Sequence, residues 1–497
     1  MNTSLDQFPI LNSRFHQSSH YRSQDDAGYA CLPFRFIALD DSRYVATNLV
    51  GEYAILSQTQ IRNLISGTLP RDDVAYDSLR SRHFLLESNG DVALDLLAAK
   101  YRTSKSHLDN FTGLHIFVVS LRCEHSCPYC QVSRVTTDKD TFDMSMETAE
   151  KSIDLMFRSP SPALKVEFQG GEPLLNFPLI QQIVSVVNER NQSEGRDIQF
   201  VIATNLALLT DEIIEFCGKH NVCFSTSLDG PADIHNSNRP RPGGDSYERT
   251  VDGIKRIRNR LGPNAVAALM TTTLTSLNCP EAIIDEYIRQ GFTSIFLRWL
   301  SPYGFAARTS NKIGYASDSF MDFYEKGLRY ILKINENGFH FCEEYAALVL
   351  RKILTPFSTG YVDLQSPAGL GISAVVYNYD GDVYASDEAR MLAESGDTSF
   401  RLGNVHEDSF EKLFLSEDLI DLLLNTMTES TPQCSECAFE PYCGTDPVFH
   451  HAVQGDPIGH RPTSDFCARN MHVFRLLIRL LEDNENARRV MESWIAS

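Results

Sequence analysis

Three cysteines stand close together in the segment LRCEHSCPYCQ, and they are Cys123, Cys127 and Cys130. Three thiolates on one short loop can converge on one metal centre, and thiolates favour zinc or iron–sulfur clusters. A structural zinc ion normally takes four protein ligands. This loop offers three thiolates and an inner histidine, His125, which can point elsewhere. Three cysteines on a four-iron cluster leave one iron open to a substrate or cofactor, and the spacing favours a cluster over zinc.

A second group of cysteines lies near the C-terminus. Its members are Cys434, Cys437, Cys443 and Cys467. Four thiolates are enough to close a metal site completely, so the spacing alone leaves a zinc knuckle and an iron–sulfur cluster both open. Cys217 and Cys223, in contrast, lie in apolar segments and are interpreted as core residues.

Glycines and charged residues follow two of the apolar segments. The run QGGEP contains Gly170, Gly171 and Glu172. The run STSLDG contains Asp229, and Arg239 follows ten residues later. Glycines at a strand end let a ligand approach the backbone, and Glu172 could hold a cationic amine. Taken alone, the glycine run favours a plain strand-to-helix turn. We expect all these groups at one edge of a sheet.

The elements that would position these groups alternate between strands and helices from about residue 114 to 335. The predicted strands are LHIFVVSL, LKVEFQ, IQFVIA, VCFSTS, AVAALMTTT and SIFLRW. Near-continuous apolar strands, each followed by an amphipathic helix, indicate a parallel sheet covered by helices. Six such units fit either a doubly wound sheet or an incomplete βα barrel. In both architectures, reactive groups belong at the carboxyl ends of the strands.

The two flanking regions break this alternation. The first 25 or so residues are polar and predict a loose arm. A small α+β module follows, with strands PFRFIAL, RYVATN and HFLLE and a helix from Leu56 to Leu69. Residues 340–497 contain a predicted β-hairpin turning at Asp380–Gly381, a helix-poor cysteine-rich stretch and a final helix. The predicted domains are 1–110, 111–335 and 336–497.

Composition narrows the possible partners. The chain has 497 residues, 45 lysines and arginines, and 65 aspartates and glutamates, which gives a formal net charge of −20. Such an acidic surface argues against non-specific nucleic-acid binding. No apolar run is long enough to span a membrane, and the N-terminus lacks the pattern of a secretory signal. We therefore expect a cytoplasmic protein with no membrane partner, in which clustered cysteines bind metal rather than form disulfides.

Together, these motifs resemble the radical S-adenosylmethionine (SAM) superfamily. The resemblance rests on the Cys-x3-Cys-x2-Cys motif with Tyr129 before its third cysteine, on GGEP and TN at the next two strand ends, and on SLDG followed by HNSNR. It implies an α/β fold built on a partial (βα)6 TIM-like barrel. It also implies that Cys123, Cys127 and Cys130 hold a catalytic [4Fe–4S] cluster whose open iron chelates SAM. Reductive cleavage of SAM would then give a 5′-deoxyadenosyl radical that abstracts hydrogen.

The resemblance also assigns cofactor-binding residues by position. Gly170, Gly171 and Glu172 would meet the methionine amine, and Tyr129 would flank the adenine. The ribose and carboxylate side would be formed by Thr204, Asn205, Ser227 and Asp229, with Arg239 at the same edge of the sheet.

The C-terminal region resembles a SPASM domain, which carries auxiliary clusters in radical SAM peptide maturases. Cys434, Cys437, Cys443 and Cys467 match the ligands of the outer auxiliary cluster. Ser386 and Pro447 stand where ligands of the inner cluster usually do, so one auxiliary [4Fe–4S] cluster is predicted. Asp387 matches the catalytic base of sulfatase maturases, although a solvated hairpin residue is the simpler interpretation.

The whole chain is most similar to the maturase called B of the His-Xaa-Ser peptide system, judging from its N-terminal PFRF and GEY motifs and the tail segment CGTDPVFHH. This similarity implies a His-Xaa-Ser repeat peptide as substrate, a partner radical SAM protein, and an electron donor such as flavodoxin or ferredoxin. Residues 33–110 faintly resemble the winged domains that clasp leader peptides. Two alternatives stay open: a radical SAM enzyme acting on a small molecule or tRNA, and a non-enzymatic zinc-bound scaffold.

Overall fold

The computed structural model describes residues 28–87, 92–130 and 138–495. These residues divide into two compact units, one within residues 1–101 and one within residues 102–497. The predicted N-terminal arm lies outside the described residues, and the division into three domains stays a prediction. No helix among the described residues is long and apolar enough to cross a membrane.

The first unit combines two small antiparallel sheets with helices. Its elements are β1 (Tyr29–Cys31), β2 (Phe34–Ala38), β3 (Arg43–Asn48), β4 (Tyr53–Ser57), α1 (Gln58–Ile65), α2 (Tyr76–Ser81), β5 (Leu85–Glu87) and α3 (Val92–Lys105), which runs past the unit's end. Strands β2, β3 and β4 form one sheet, and β1 pairs with β5. Helix α1 is shorter than predicted, because Leu56 belongs to β4 and Ser57 with Gln60 forms a capping box that fixes the helix start.

The second unit is built around an eight-stranded sheet. The described residues of this unit form ten strands, of which β11 and β12 lie outside the main sheet. The ten strands are β6 (Leu114–Ser120), β7 (Ala163–Gly170), β8 (Asp197–Thr204), β9 (Val222–Ser227), β10 (Val266–Leu269), β11 (Ser294–Ile295), β12 (Cys342–Glu343), β13 (Ala374–Tyr377), β14 (Asp382–Tyr384) and β15 (Arg401–Asn404). The strand order in the main sheet is β10-β9-β8-β7-β6-β13-β14-β15. All pairs from β10 to β13 are parallel. The predicted parallel sheet is thus confirmed, and its carboxyl ends share one edge.

Helices cover this sheet and build the tail. They are α4 (Lys139–Phe142), α5 (Met146–Met156), α6 (Phe177–Glu194), α7 (Asp211–His220), α8 (Ala232–Asn238), α9 (Ser246–Leu261), α10 (Pro280–Arg289), α11 (Gly304–Ile313), α12 (Ser317–Glu336), α13 (Glu344–Leu354), α14 (Asp387–Ala393), α15 (Phe410–Phe414), α16 (Glu417–Asn425), α17 (Pro447–Gln454), α18 (Asp465–Asp483) and α19 (Glu485–Ile495). Helix α5 starts after Ser145, whose side chain caps it by accepting a hydrogen bond from the backbone N–H of Thr148.

The sixth predicted strand, SIFLRW, differs from the others. Only Ser294–Ile295 is a strand, and it pairs with Cys342–Glu343 in a separate two-stranded sheet. The following residues leave the strand conformation, but the backbone N–H of Thr272 still donates to the carbonyl of Arg298 at 3.0 Å. The parallel sheet therefore ends at β10, as in a partial barrel.

The predicted hairpin forms, and it belongs to the main sheet. Strand β13 pairs in parallel with β6, and β14 pairs with β13 in antiparallel orientation. The turn contains Gly381 at a φ of 87°, which glycine adopts without strain. Ile116 and Val118 of β6 share one buried cluster with Val376 of β13 and with Val448 of α17. The tail is therefore anchored on the edge strand of the barrel.

The tail contains more helix than predicted. Helix α17 lies inside the stretch expected to be helix-poor, because Asp446 caps its first turn and Pro447 occupies a position that tolerates proline. The apolar stripe of α18 is buried, so this helix packs against the rest of the protein.

Candidate active site

A cavity of roughly 230 Å³ lies at the carboxyl ends of the parallel strands. Ten of the residues predicted to form the site line it, namely Cys123, Cys127, Tyr129, Cys130, Gly170, Gly171, Thr204, Asn205, Ser227 and Arg239. The cysteine loop, the glycine run and the later strand ends thus meet in one place, although they are far apart in the sequence. Glu172 and Asp229 are also close by, but they are fully buried behind this lining.

The glycine run lets two strand ends approach each other closely. The backbone N–H of Gly171 donates to the carbonyl of Ser120 at 2.8 Å, and that of Glu172 donates to the carbonyl of Arg122 at 2.7 Å. A Cβ atom on Gly170 would lie 2.0 Å from the Ser120 carbonyl oxygen, and one on Gly171 would lie 2.3 Å from that of Arg122. Only glycine therefore permits this contact, which places the start of the cysteine loop.

The cysteine loop is also held from the opposite side by a helix that the sequence analysis did not predict. The Thr309 hydroxyl of α11 donates to the carbonyl of Pro128 at 2.7 Å, and the backbone N–H of Phe305 donates to the carbonyl of Cys130 at 2.8 Å. Ala306 packs in one buried cluster with Cys127 and Tyr129. The loop is thus positioned before any ligand binds.

The thiols sit in an environment that disfavours the bare thiolate. Burial raises the pKa of the Cys127 thiol to about 12, and burial followed by the nearby Glu124 and Glu172 carboxylates raises the pKa of Cys123 as well. A thiol of this kind ionises when a metal cation binds it directly. The donor chemistry of the loop therefore fits a metal centre.

The spacing of the donor atoms separates a cluster from a single zinc ion. Among the described residues, the only trio of metal-ligating side chains whose donor atoms all lie within 4.8 Å of one another is Cys123, Glu124 and His125. Bonds of 2.3 Å to one tetrahedral zinc ion would bring thiolate sulfurs within about 3.8 Å of one another. The three loop sulfurs are spread more widely than this, as a cluster that separates its ligands requires.

His125 is not positioned as a fourth ligand. Its Nδ1 atom lies 3.0 Å from both the Glu124 carboxylate and the Asn205 side-chain amide, and its Nε2 atom lies 2.8 Å from the Ser246 hydroxyl. Both ring nitrogens are therefore engaged in hydrogen bonds. His235 reaches the same Ser246 hydroxyl at 3.1 Å, and burial lowers its pKa to about 4. These hydrogen bonds help to hold the cysteine loop in its orientation.

Glu172 organises the third strand end. Its carboxylate accepts hydrogen bonds from the Thr204 hydroxyl at 2.6 Å, from the Asn205 backbone at 2.9 Å and from the Leu174 backbone at 3.1 Å. Burial, followed by repulsion from Glu124, raises the pKa of Glu172 to about 8. The geometry shows Glu172 fixing two cavity-lining residues, and its predicted contact with a methionine amine stays a prediction.

Asp229 links the cysteine loop to the fourth strand end. It accepts hydrogen bonds from the Tyr129 hydroxyl at 2.5 Å, from Arg239 Nε at 3.1 Å and from the Thr271 backbone at 3.2 Å. The Arg239 guanidinium also lies 5.2 Å from the centre of the Tyr129 ring. Because Asp229 is fully buried, these three partners hold Tyr129 and Arg239 rigidly against the cavity.

Several cavity residues were missed by the sequence analysis. They are His125, Glu167, Gln169, Ala203, Ser225, Thr226, Leu269, Met270, Thr271 and Arg298. Glu167 and Gln169 alternate along β7 with the buried residues Val166 and Phe168. Alternation of polar and apolar residues inside an otherwise apolar strand is the signal that points to them, because alternate residues of a barrel strand face its interior.

Asp387 lies apart from this cavity lining, at the start of α14. Its Oδ1 atom is buried with no hydrogen-bond partner among the described residues, and its carboxylate lies 3.7 Å from the guanidinium of the buried Arg390. Burial, only partly offset by Arg390, raises the pKa of Asp387 to about 6. The structure therefore does not support a freely solvated hairpin residue at this position.

The four tail cysteines gather around the start of α18. Cys467 lies in its first turn, and the backbone N–H of Cys437 donates to the carbonyl of Cys434 at 3.0 Å. Burial raises the pKa of Cys443 to about 12. No three of these sulfurs all lie within 4.8 Å of one another in the part of the chain that the structure describes. This spacing again is wider than a single zinc ion needs.

Comparison with known families identifies the barrel region. Residues 117–284 match the family described as the radical SAM superfamily. This segment begins in β6, ends in α10 and contains all three loop cysteines. The chain thus carries a radical SAM domain, and this domain implies SAM and a [4Fe–4S] cluster as cofactors of an enzyme.

Three similar curated proteins show how much of the chain is shared. Uncharacterised proteins of Methanocaldococcus jannaschii and Methanothermobacter thermautotrophicus are 33% and 29% identical over 38% and 36% of this chain. The chain spans 62% and 65% of the length of these two relatives. A serine-type anaerobic sulfatase-maturating enzyme of Bacteroides thetaiotaomicron is 25% identical over 68% of this chain and 83% of its own length.

Solved structures show the same fold. A structure titled native anSMEcpe with bound AdoMet has a TM-score of 0.62 at 17% identity, covering 75% of this chain and 99% of its own. Streptococcus suis SuiB bound to the precursor peptide SuiA has a TM-score of 0.52 at 14% identity, covering 88% of this chain and 99% of its own. The predicted α/β partial-barrel fold is therefore confirmed.

The strand-end contact gives a direct prediction. Gly171→Ala places a methyl group against the carbonyl of Arg122, so we expect unfolding to become easier by roughly 1–3 kcal/mol. We also expect less iron to be incorporated on anaerobic reconstitution, because the cysteine loop is displaced. Urea denaturation followed by circular dichroism, together with iron analysis, measures both effects.

Gly113→Ala is the matched control. A Cβ atom at Gly113 meets nothing closer than 3.7 Å, which is ordinary contact. We expect this variant to behave like the parent chain. Equal stability and equal iron content for the Gly171 and Gly113 variants would show that the strand-end contact does not position the loop.

Proposed function

We propose that this chain, which carries a radical SAM domain over residues 117–284, is a maturase that modifies a ribosomally made peptide or protein. The observation that carries the proposal is the cavity where Cys123, Cys127 and Cys130 meet the strand-end residues. An oxidoreductase of this type binds SAM beside the open iron of its cluster.

The chain's own residues supply the binding and the orientation. Cys123, Cys127 and Cys130 would hold the [4Fe–4S] cluster, and Gly170 and Gly171, which line the cavity, would receive the methionine end of SAM. Thr204, Asn205 and Ser227 line the cavity, next to Tyr129 and Arg239. When reduced, the cluster with bound SAM supplies a radical that abstracts hydrogen from the substrate. Glu172 and Asp229 are fully buried behind the cavity lining, so water is excluded from that side of the site.

Asp387 is the proposed acid–base residue of the reaction. Its carboxylate has an unpartnered oxygen, and its pKa of about 6 leaves it mostly ionised at neutral pH. Arg298 connects it to the cavity, because Arg298 lines the cavity and interacts electrostatically with Asp387. A substrate held against Arg298 could pass a proton to Asp387.

The tail is proposed to hold one auxiliary [4Fe–4S] cluster on Cys434, Cys437, Cys443 and Cys467. The wide spacing of the four sulfurs supports a cluster over zinc, and it also opposes the zinc-bound scaffold. At the inner-cluster positions, Ser386 caps α14 and Pro447 begins α17. These two residues complete helix starts instead of binding metal.

The relatives support a peptide or protein as substrate. Sulfatase-maturating enzymes act on proteins by name, and SuiB binds the precursor peptide SuiA. The finer assignment is a His-Xaa-Ser repeat peptide, modified with a partner radical SAM protein and an external flavodoxin or ferredoxin. The net charge of −20 weighs against the alternative substrate tRNA.

The first unit offers a surface for such a peptide. A cavity of roughly 510 Å³ lies between α2, β5 and the first turns of α3. Leu85 and Leu86 of β5 and Val92 and Leu96 of α3 line it, and Val92 and Leu96 are exposed. Exposed apolar side chains around a groove are typical of peptide recognition. We therefore assign leader-peptide binding to this groove.

Cleavage of SAM tests the central assignment. Replacing Cys123, Cys127 and Cys130 together by alanine should abolish release of 5′-deoxyadenosine from SAM under dithionite, because no iron then has an open position. Liquid chromatography of the reaction mixture measures the release. The matched control replaces the isolated Cys217 and Cys279 by alanine and should retain it. Release at the parental rate from the triple variant would refute the site.

Leader-peptide binding tests the groove. Leu96→Glu places a charge on an apolar wall, so binding of a labelled His-Xaa-Ser precursor peptide should weaken about tenfold or more, which is about 1.4 kcal/mol. Val74→Glu is the control, because Val74 is exposed in the same unit but does not line the groove. Fluorescence anisotropy compares the two. Equal affinities for both variants would move the peptide site elsewhere.

A further inference from the structure

A buried guanidinium lies against the tail cysteines. Arg461 is 5% exposed, and its Nε atom donates to Cys434 Sγ at 3.2 Å. Its Nη2 atom lies 3.3 Å from Thr445 Oγ1, and its Nη1 atom lies 2.7 Å from His450 Nε2. Arg461 therefore reaches a metal-ligating sulfur with a group whose position is fixed on three sides.

His450 determines how Arg461 is held. The His450 Nδ1 atom lies 2.8 Å from the carbonyl oxygen of Asp446, which can only accept a hydrogen bond. The ring proton therefore belongs on Nδ1, and Nε2 acts as an acceptor, with Arg461 at 2.7 Å and the Ser464 hydroxyl at 2.9 Å. Burial, together with the charge of Arg461, lowers the pKa of His450 to about 4, so the ring stays neutral at neutral pH. A neutral acceptor leaves the positive charge of Arg461 uncancelled beside Cys434.

A second donor points at a second sulfur. The Asn470 Nδ2 atom lies 3.6 Å from Cys443 Sγ, and Asn470 is 1% exposed. Its Oδ1 atom accepts a hydrogen bond from the Tyr345 hydroxyl at 2.7 Å. Because Tyr345 engages the amide oxygen, the amide nitrogen is turned towards the sulfur. Lys352 adds a second cationic side chain, donating to the carbonyl of Cys443 at 2.8 Å.

The cysteine loop at the barrel has different neighbours. Cys123 receives a hydrogen bond from the backbone N–H of His125 at 3.4 Å, and the Glu124 carboxylate lies in its electrostatic surroundings. Negative neighbours disfavour an added electron, whereas N–H···S bonds and cations favour it. Cys123 thus has an acidic side chain beside it, whereas Cys434 has the cationic donor Arg461.

We propose that Arg461 and Asn470 are positioning residues that raise the reduction potential of the tail cluster. Each one donates to a different cysteine sulfur from a buried and orientated side chain. The inference rests on the proposed auxiliary cluster and goes beyond it, because it assigns two neighbouring side chains the task of setting the potential of that cluster.

The test uses the full chain with Cys123, Cys127 and Cys130 replaced by alanine, so that only the tail cluster contributes a signal. After anaerobic reconstitution, a redox titration followed by electron paramagnetic resonance gives the midpoint potential. Arg461→Gln should make reduction about tenfold less favourable, a shift of about 59 mV to lower potential for a one-electron couple. Asn470→Asp keeps the acceptor for Tyr345 but removes the donor, and it should also lower the potential.

Arg475→Gln is the matched control. Arg475 is a cation of the same helix as Cys467, and its guanidinium lies 5.6 Å from the centre of the Phe439 ring. Its charge lies in the electrostatic surroundings of Cys437 and Cys467, so its removal should lower the potential by less than half the Arg461 shift. Arg461→Lys keeps the positive charge but loses the planar guanidinium with its fixed donors. Its midpoint potential should therefore lie between those of the parent and Arg461→Gln chains.

The outcomes separate this inference from the proposed function. An assembled cluster whose potential is the same in the parent, Arg461→Gln and Asn470→Asp chains overturns the inference and leaves the auxiliary cluster standing. A parent chain that binds zinc or no iron at the tail overturns both. If Arg461→Gln assembles no cluster, Arg461→Lys and Asn470→Asp decide: lowered potentials support the inference, and unchanged potentials overturn it.

Discussion

The desolvation of thiols at the end of a parallel sheet is the constraint on which this structure depends. Cys127 is buried, and its pKa of about 12 keeps it protonated unless a metal cation binds it. The same burial that makes the bare site unfavourable for thiolates makes it suitable for a metal centre. Much of the surrounding architecture serves to hold this loop in place, from the strand-end glycines to α11.

The sheet explains why the tail and the barrel form one unit. Strand β13 adds to the edge at β6, the strand from which the cysteine loop departs. The segment after the hairpin then leads directly to α14 and Asp387. The main sheet therefore continues from the barrel into the tail hairpin.

Much of the fold could be predicted from hydrophobic periodicity. Apolar strands followed by amphipathic helices predicted β6 to β10 and their order along the chain, and the motifs together with the family resemblance predicted half of the cavity lining. The failures have physical causes. β11 is reduced to Ser294–Ile295 and pairs with Cys342–Glu343, a partner far away in the sequence. Helix α17 depends on the capping side chain of Asp446, which periodicity does not register.

The hardest residues to predict were those that contact and position other residues of a site. Glu172 was expected to meet the methionine amine, which stays a prediction, and its hydrogen bonds to Thr204 and Asn205 were not foreseen. Arg461 lies 27 residues from the cysteine it contacts, and no spacing rule connects them. Contacts of this kind are fixed by tertiary packing, so a single sequence contains no local pattern for them.

The most direct test is the electron paramagnetic resonance spectrum of the anaerobically reconstituted, dithionite-reduced chain with and without SAM. The account predicts an iron–sulfur signal that changes when SAM is added, because SAM binds an iron without a protein ligand. This change should disappear when Cys123, Cys127 and Cys130 are replaced by alanine, while the tail signal persists. A spectrum that SAM leaves unchanged, or a protein that contains zinc in place of iron, would contradict the account.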